Sequence, residues 1–223
     1  MTLPVNFDSV SVDAVLADWV CALSDHGVDA VAVLGPDPDG GCEARKVLAI
    51  HQPRLLPAAQ ALAESDDFGA AWRESDAPMV VWQEISKSAW QEPPARWRRL
   101  WLGYGYQTLV RVAFPLPAGR AFECYMFSPR TFAGRIEAAD LAWSALHIWP
   151  VLRRSIADSR FTLSPRELES LQLAFEGLTA RETAQRLECS ERTVNYHLAN
   201  AMAKLRTDNK LQAVQKACWL GLV

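Results

Sequence analysis

The spacing of hydrophobic positions changes once along the chain. Before about residue 156, helical stretches alternate with short runs typical of strands, whereas from residue 161 onward only the helical period remains. The predicted elements, in chain order, are helix 11–26, strands 29–35 and 44–50, helix 55–64, strand 78–85, helix 94–102, strands 107–116 and 120–128, and helix 132–156. This order predicts an antiparallel or mixed sheet covered by helices, with a kink at Pro150 in the last helix.

Four short helices are predicted after a joining segment at 157–162. Each begins at a residue, or a pair of residues, that is able to cap a helix: Ser164 with Glu167, Thr179 with Glu182, Ser190, and either Thr207 or Asp208. The predicted fold class is therefore α+β, with two domains. Residues 1–158 hold the sheet, and residues 159–223 form an all-α domain of four helices.

The third of these helices has two unlike faces. Val194, Leu198, Ala201 and Leu205 recur at helical spacing and predict a buried stripe. The preceding helix, 180–187, is short and ends two residues earlier, which is the arrangement of a helix-turn-helix motif that places its second helix in the major groove of DNA. The other face carries the candidate DNA-binding residues, namely Arg192, Thr193, Asn195, Tyr196, Ala199, Asn200 and Lys204.

The residue types on this face suit contacts with a duplex. The Asn195 carboxamide is able to pair with an adenine edge, and Arg192, Thr193 and Lys204 are able to contact phosphates. An alternative stays open, in which the same face is the solvated surface of a small helical bundle.

Composition narrows the class of protein. Half of the residues are apolar, yet no run of eighteen uncharged apolar residues occurs, so no membrane span is predicted. The start of the chain lacks the basic segment and the apolar core of a secretion signal. The five cysteines lie apart, without Cys-x-x-Cys or Cys/His spacing, which favours the cytoplasm and predicts neither disulfides nor a metal site. The four histidines have no nucleophile or metal-ligand spacing around them, so no enzyme activity is predicted.

Charge is distributed unevenly between the two parts of the chain. The formal net charge is −3 overall, but residues 161–223 hold 8 Lys and Arg against 7 Asp and Glu. The slightly basic C-terminal part is consistent with DNA binding only in combination with the motif, because the excess is small.

Residues 163–205 also match a known motif. Their sequence, LSPRELESLQLAFEGLTARETAQRLECSERTVNYHLANAMAKL, is similar to the DNA-binding domain of LuxR-type bacterial regulators. The resemblance implies binding to double-stranded DNA. Three sites depart from the family pattern: Glu188-Cys189 replaces a glycine and an aliphatic residue in the turn, Thr183 replaces a buried isoleucine, and Ala199 is small where some relatives contact a base. If the turn requires a positive φ, Glu188 costs about 1 kcal/mol there.

The order of elements before residue 158 resembles the autoinducer-binding domain of quorum-sensing LuxR-type proteins. That domain is an α/β/α sandwich that holds an acyl-homoserine lactone. The resemblance implies that Asp67 binds the lactone amide and that Trp82 lines the lactone end. It also implies that Tyr104 belongs to an aromatic-glycine pair before a strand and that Tyr125 is a polar group of the pocket.

Two positions of that resemblance lack the expected groups. Relatives carry a tryptophan and a tyrosine where this chain has Arg54 and Ala58, so two groups of the lactone site are missing. Alternatives also stay open for the matching residues, since Asp67 is able to serve as an exposed loop acid and Trp82 as a core tryptophan.

Together these features predict a cytoplasmic LuxR-type transcription regulator that uses no cofactor and binds palindromic DNA as a homodimer. A dimer is expected because one short helix makes few base contacts, and Leu211, Val214 and Cys218 of the last helix are predicted to join the two DNA-binding units. The ligand would be a non-standard lactone, another small hydrophobic signal molecule, or none. The alternative is an antagonist that forms mixed dimers with another, lactone-responsive LuxR-type regulator.

Overall fold

The computed structural model describes residues 11–37, 44–67, 77–86, 94–116 and 120–223. The chain separates into two compact units. The N-terminal unit covers Val12–Trp149, and the C-terminal unit covers Pro150–Val223. None of the helices within the described ranges is long and apolar enough to cross a membrane.

The N-terminal unit contains a five-stranded sheet in the order β2-β1-β5-β4-β3, with every neighbouring pair antiparallel. The elements are α1 Val12–Leu23, β1 Ala30–Pro36, β2 Arg45–Ile50, α2 Leu56–Ala63, β3 Met79–Glu84, α3 Arg96–Gly103, β4 Thr108–Leu116, β5 Arg120–Ser128 and α4 Arg135–Arg160. The predicted order of helices and strands is confirmed, with most boundaries displaced by only a few residues.

Helices lie on both faces of this sheet because alternate residues of each strand point to opposite sides. On one face, Ala30, Ala32 and Leu34 of β1 share a buried core with α2 and α3. On the other face, Trp149 of α4 stacks on Phe114 of β4, with 4.4 Å between the ring centroids. The predicted α/β/α arrangement is therefore confirmed.

The C-terminal unit consists of the end of α4 and four further helices. These are α5 Pro165–Phe175, α6 Ala180–Arg186, α7 Glu191–Leu205 and α8 Lys210–Leu220. The predicted caps of the first three are confirmed, since Ser164 and Thr179 each form a full capping box and the Ser190 side chain accepts a hydrogen bond from the Thr193 amide.

The predicted cap of α8 is wrong. Asn209 occupies that position, and its side chain accepts a hydrogen bond from the Gln212 amide at 3.0 Å. The two candidates have other contacts: the Thr207 hydroxyl donates back to the Met202 carbonyl of α7, and the Asp208 amide donates to the Gln212 side chain.

The predicted joining segment at 157–162 is too long. Helix α4 continues to Arg160 because Ile156 and Ala157 are buried, and the Phe161 amide still donates to the Ala157 carbonyl at 2.8 Å. Pro150 lies inside α4, and the kink expected there stays a prediction. The domain boundary at 158/159 also stays a prediction.

Candidate nucleic-acid interface and ligand site

The C-terminal unit places a short helix and a longer one around a tight turn. Helix α6 has seven residues and α7 has fifteen, with residues 187–190 between them. The predicted stripe on α7 is confirmed, since its members are all buried: Val194, Leu198, Ala201 and Leu205. The packing of α7 against α5 and α6 leaves its opposite face outward, which is the requirement for insertion into a groove.

The turn between α6 and α7 has a left-handed backbone at a residue other than glycine. Glu188 has a φ of +52°. The following amide, that of Cys189, donates to the Ala184 carbonyl at 3.0 Å and closes the end of α6. A side chain in this conformation costs about 1–2 kcal/mol. The positive φ on which the expected cost at Glu188 depended is therefore present in the structure.

Replacing Glu188 by glycine is expected to stabilise the C-terminal unit by about 0.5–1 kcal/mol, because relief of the strain exceeds the greater chain entropy of glycine in the unfolded state. Urea unfolding measures the change. The matched control is Gln185→Gly in the interior of α6, where the same residue type destabilises by about 1 kcal/mol. Equal losses in both variants would contradict the assignment of strain to Glu188.

Most of the predicted DNA-binding residues lie on the outward face of α7. Arg192, Asn195, Tyr196 and Ala199 are exposed, and Asn200 is half-buried. The structure therefore brings these five side chains to one surface of one helix.

Thr193 has an internal role as well. Its hydroxyl lies 2.8 Å from the Ser190 hydroxyl, and its amide donates to the same oxygen at 3.1 Å. These bonds fix the start of α7, so Thr193 serves the cap of the helix that carries the other candidates.

Lys204 is paired inside the unit. Its Nζ donates to both carboxylate oxygens of Glu167 on α5, at 3.0 and 2.8 Å. Only 5% of the Glu167 side chain is exposed, and the same carboxylate accepts the Ser164 amide at 2.7 Å. The prediction that Lys204 contacts phosphate did not include this pair, which ties α7 to the start of α5.

The environment of Glu167 favours its charged form. Burial alone would raise the pKa of this carboxyl, but the hydrogen bonds from Lys204 and the Ser164 amide hold the pKa below its ordinary value. A carboxyl with a lowered pKa in the folded state stabilises the fold above its unfolded pKa, and this contribution is lost as the pH falls through the folded value.

Glu167→Gln is expected to destabilise the C-terminal unit by about 1–3 kcal/mol at neutral pH, because hydrogen bonds to a charged group contribute about that much. The difference from the unaltered protein should shrink as the pH falls from the ordinary glutamate pKa, about 4.3, through the lower folded value, because protonation then removes the charge of Glu167. Urea unfolding across the pH range measures it. A difference independent of pH would contradict the charged role, and Glu169→Gln on the exposed side of α5 serves as the control.

In the N-terminal unit, two side chains of α3 donate to one carboxylate oxygen of Asp67. The Trp97 indole N–H donates to one carboxylate oxygen at 2.7 Å, and Nε of Arg98 donates to the same oxygen at 3.1 Å. The Asp67 side chain is largely covered as a result. One carboxylate oxygen is therefore engaged within the unit, and Asp67 also lines an open cleft of about 420 Å³ together with Ala61, Ser65 and Trp97.

Tyr125 lies in a buried charged cluster. Its hydroxyl donates to Glu123 at 2.8 Å, and the same carboxylate receives Arg111 at 2.7 Å and Arg45 at 3.0 Å. Arg45 also donates to the carbonyls of Leu62 and Ser65 at the end of α2. We call Arg45, Arg111 and Glu123 the buried ion triad.

The triad also shifts the ionisation of its neighbours. Burial, followed by the charge of Glu123, raises the pKa of Tyr125 well above its ordinary value, so that its hydroxyl stays protonated and donates. Burial alone would lower the pKa of Arg45, but the carboxylate of Glu123 raises it above its ordinary value.

The remaining predicted ligand residues do not converge. Trp82 of β3 pairs with Val110 of β4, so the two side chains lie on the same face of the sheet. The next residue of β4, Arg111, points to the other face and pairs with Tyr125 of β5. Trp82 and Tyr125 therefore lie on opposite faces, and the structure does not bring these two predicted ligand residues to one face of the sheet. The Trp82 indole N–H is buried without a hydrogen-bond partner in the described part of the chain.

The last three predicted ligand-binding residues are Tyr104, Arg54 and Ala58. The Tyr104 hydroxyl donates to the Arg54 carbonyl at 3.1 Å, and both residues are exposed. Ala58 is fully buried in the core between α2 and the sheet. Of the six predicted ligand residues, only Ala58 and Tyr125 share this core, and Asp67 bonds to its edge through Trp97.

The buried ion triad was missed by sequence reasoning. The available signal was a pair of opposite charges, Arg111 and Glu123, each flanked by apolar residues in two strands joined by a short turn. Charged residues of this kind are almost never fully buried unless they are paired. Within the described ranges, no group of His, Cys, Asp and Glu is placed to hold a metal ion.

The geometry of α6 and α7 defines the class of protein as a helix-turn-helix DNA-binding protein. Residues 161–217 match the family model described as "Bacterial regulatory proteins, luxR family". The chain thus carries a LuxR-family DNA-binding domain, and the resemblance noted in its sequence is confirmed.

Two curated relatives extend this match. SolR from Ralstonia solanacearum is 34% identical over 159 residues, which are 71% of this chain and 60% of that protein. LuxR from Aliivibrio fischeri is 44% identical over 61 residues, which are 27% of this chain and 24% of that protein. Both are named as transcriptional activator proteins rather than as enzymes, in agreement with the prediction. The chain spans less than two thirds of either relative.

A solved structure supports the fold of the whole chain. SdiA in complex with octanoyl-rac-glycerol matches with a TM-score of 0.50 and 19% identity, covering 96% of this chain and 90% of that chain. This likeness concerns the fold alone.

Proposed function

We propose that the protein is a cytoplasmic transcription regulator that binds palindromic double-stranded DNA as a homodimer. The observation that carries the proposal is the outward face of α7 within a LuxR-family domain, where Arg192, Asn195 and Tyr196 are exposed together. A helix of this kind places its N-terminal half against base edges in the major groove.

Each exposed side chain has a chemical role in this proposal. The Asn195 carboxamide donates to and accepts from an adenine edge, and Arg192 contacts a phosphate. The Ala199 methyl group suits contact with a thymine methyl, and Tyr196 and Asn200 lie beside these positions on the same helix. Lys204 pairs with Glu167 inside the unit, so we do not assign it a contact with a base.

Three exposed apolar side chains support dimerisation. Leu211 on α8 is 77% exposed, and it is the residue type predicted to join two C-terminal units. Within the N-terminal unit, Trp143 and Ile136 on α4 are 74% and 80% exposed. Large apolar side chains with this exposure are typical of interaction surfaces when they lie along one helix.

The DNA-binding proposal is tested by fluorescence anisotropy. An operator is first selected from random duplexes, and Asn195→Ala is then expected to weaken binding about 10- to 100-fold and to relax the preference at one base position. Arg192→Ala should weaken binding to all sequences and reduce the salt dependence. Gln172→Ala on α5 is the control. Unchanged affinity in both α7 variants, with unchanged melting temperatures, would contradict the proposal.

We also propose that the N-terminal unit has diverged in the ligand that it binds. The absence of the family tryptophan and tyrosine at Arg54 and Ala58, and the outward position of Tyr104, support divergence from acyl-homoserine lactone recognition. The octanoyl-glycerol bound to SdiA shows that a protein with this kind of fold is able to take a lipid-like molecule. The unit would take a non-standard lactone, another small hydrophobic molecule, or none.

A second function is favoured by the strained turn at Glu188. A weakened helix-turn-helix motif suits an antagonist that forms mixed dimers with a lactone-responsive LuxR-type regulator and holds it off DNA. The two functions differ in a simple measurement, because the antagonist does not bind DNA when purified alone. Specific binding by the homodimer would exclude the antagonist as the main role.

A further inference from the structure

Two carboxylates at the core between α2, α3 and the sheet, those of Asp67 and Glu123, accept hydrogen bonds from the protein's own side chains. Asp67 receives the Trp97 indole and Arg98, and Glu123 receives Arg45, Arg111 and Tyr125. A ligand amide or hydroxyl that bound Oδ2 of Asp67, or either oxygen of Glu123, would compete with donors already at 2.7–3.1 Å.

The apolar part of the same core is closed by α3. Trp101 stacks on Phe127 of β5, with 3.5 Å between ring centroids and 5° between ring planes. Tyr106 meets both rings edge to face, at 5.3 and 6.0 Å. Rings at van der Waals distance leave no room for an acyl chain between them.

The two tryptophans are placed to act together. Trp97 and Trp101 are one helical turn apart on α3, and both are fully buried. Trp97 supplies an N–H to Asp67, while Trp101 fills the space over Phe127. The Trp101 N–H has no hydrogen-bond partner in the described ranges, so its ring is held by packing alone.

We propose that α3 occupies the place of a small-molecule ligand: Trp97 satisfies Asp67 and Trp101 fills the core, so that the N-terminal unit folds and supports DNA binding without a ligand. The inference makes two statements, that the unit folds without a ligand and that the protein binds DNA without one. Only the second statement rests on the proposed function. The statement about folding is supported by the contacts within the N-terminal unit alone.

The first test uses the full chain expressed and purified without added ligand. Its melting temperature is measured alone and with saturating acyl-homoserine lactones of short, medium and long chains, and with 1-octanoyl-glycerol. We expect a folded protein and no shift beyond about 1 °C, whereas a ligand saturating a real site would shift the transition by about 5–10 °C. A shift of that size with any of these molecules would overturn the proposal.

The second test uses variants of α3. Trp101→Ala opens an apolar cavity next to Phe127, and such cavities bind small aromatic molecules. Indole is therefore expected to raise the melting temperature of Trp101→Ala by several degrees, and to leave the unaltered protein and Trp143→Ala unchanged. A folded Trp101→Ala protein indifferent to indole would contradict the filling role. If the variant does not fold, the first test still decides.

DNA binding separates the two proposals. Operator affinity is measured with and without the same lactones, and we expect less than about a twofold difference. A folded, lactone-indifferent protein that binds no DNA would refute the proposed function and leave the statement about folding standing. DNA binding that requires a lactone would refute this inference and leave the proposed DNA-binding function standing.

Discussion

Glu123→Gln is expected to destabilise the N-terminal unit by about 3–5 kcal/mol, because it removes the carboxylate charge that both Arg45 and Arg111 contact in a buried site. The loss is large because the residue is fully buried and its partners lie at hydrogen-bond distance from both oxygens. Urea unfolding followed by tryptophan fluorescence measures it, and the N-terminal unit dominates that signal because it holds most of the tryptophans.

The control for this variant is Glu64→Gln. Glu64 pairs with Arg96 at 3.2 Å, but both side chains are mostly exposed, so its loss should cost about 1 kcal/mol or less. Similar effects from the two glutamates would contradict the importance of burial. A Glu123 variant as stable as the unaltered protein would mean that the guanidinium groups find other acceptors or reach water.

Leu205→Ala is expected to destabilise the C-terminal unit by about 2–5 kcal/mol, with loss of DNA binding at physiological temperature. Leu205 ends the buried stripe of α7, and its carbonyl accepts the Lys216 side chain of α8 at 2.7 Å. Truncation leaves a cavity where α7 and α8 meet. Circular dichroism during urea unfolding measures the loss of helix.

The same substitution on α8 provides a matched control. Leu211 is exposed, so Leu211→Ala should change the unfolding free energy by about 0.5 kcal/mol or less. It should instead raise the dimer dissociation constant if α8 joins two copies, which analytical ultracentrifugation measures. Equal unfolding losses in the two leucine variants would contradict the assignment of Leu205 to the core.

Local signals were sufficient for most of the fold. Capping boxes at Ser164 and Thr179 depend on residues three positions apart, so sequence alone locates the starts of α5 and α6. The start of α8 was misplaced because Thr207, Asp208 and Asn209 are all good caps. The choice among them depends on which donors Met202 and Gln212 engage in the folded unit.

The candidate sites were less predictable because they depend on pairings between distant elements. Lys204 and Glu167 are 37 positions apart, and nothing local distinguishes a phosphate-binding lysine from one that pairs with a buried acid. The orientation of Trp82 depends on strand register, since a shift by one residue moves a side chain to the other face. The outward face of α7 was predicted correctly because it depends only on the helical period.

The left-handed Glu188 has a genetic consequence. Every glutamate codon becomes a glycine codon through one A-to-G transition at its second base, so relief of the strained turn lies a single nucleotide change away. Such a change would leave the α7 side chains untouched and alter only how firmly the motif is held. A population under selection for stronger operator binding is therefore expected to acquire this substitution early, and one under selection for weak binding is expected to retain the glutamate.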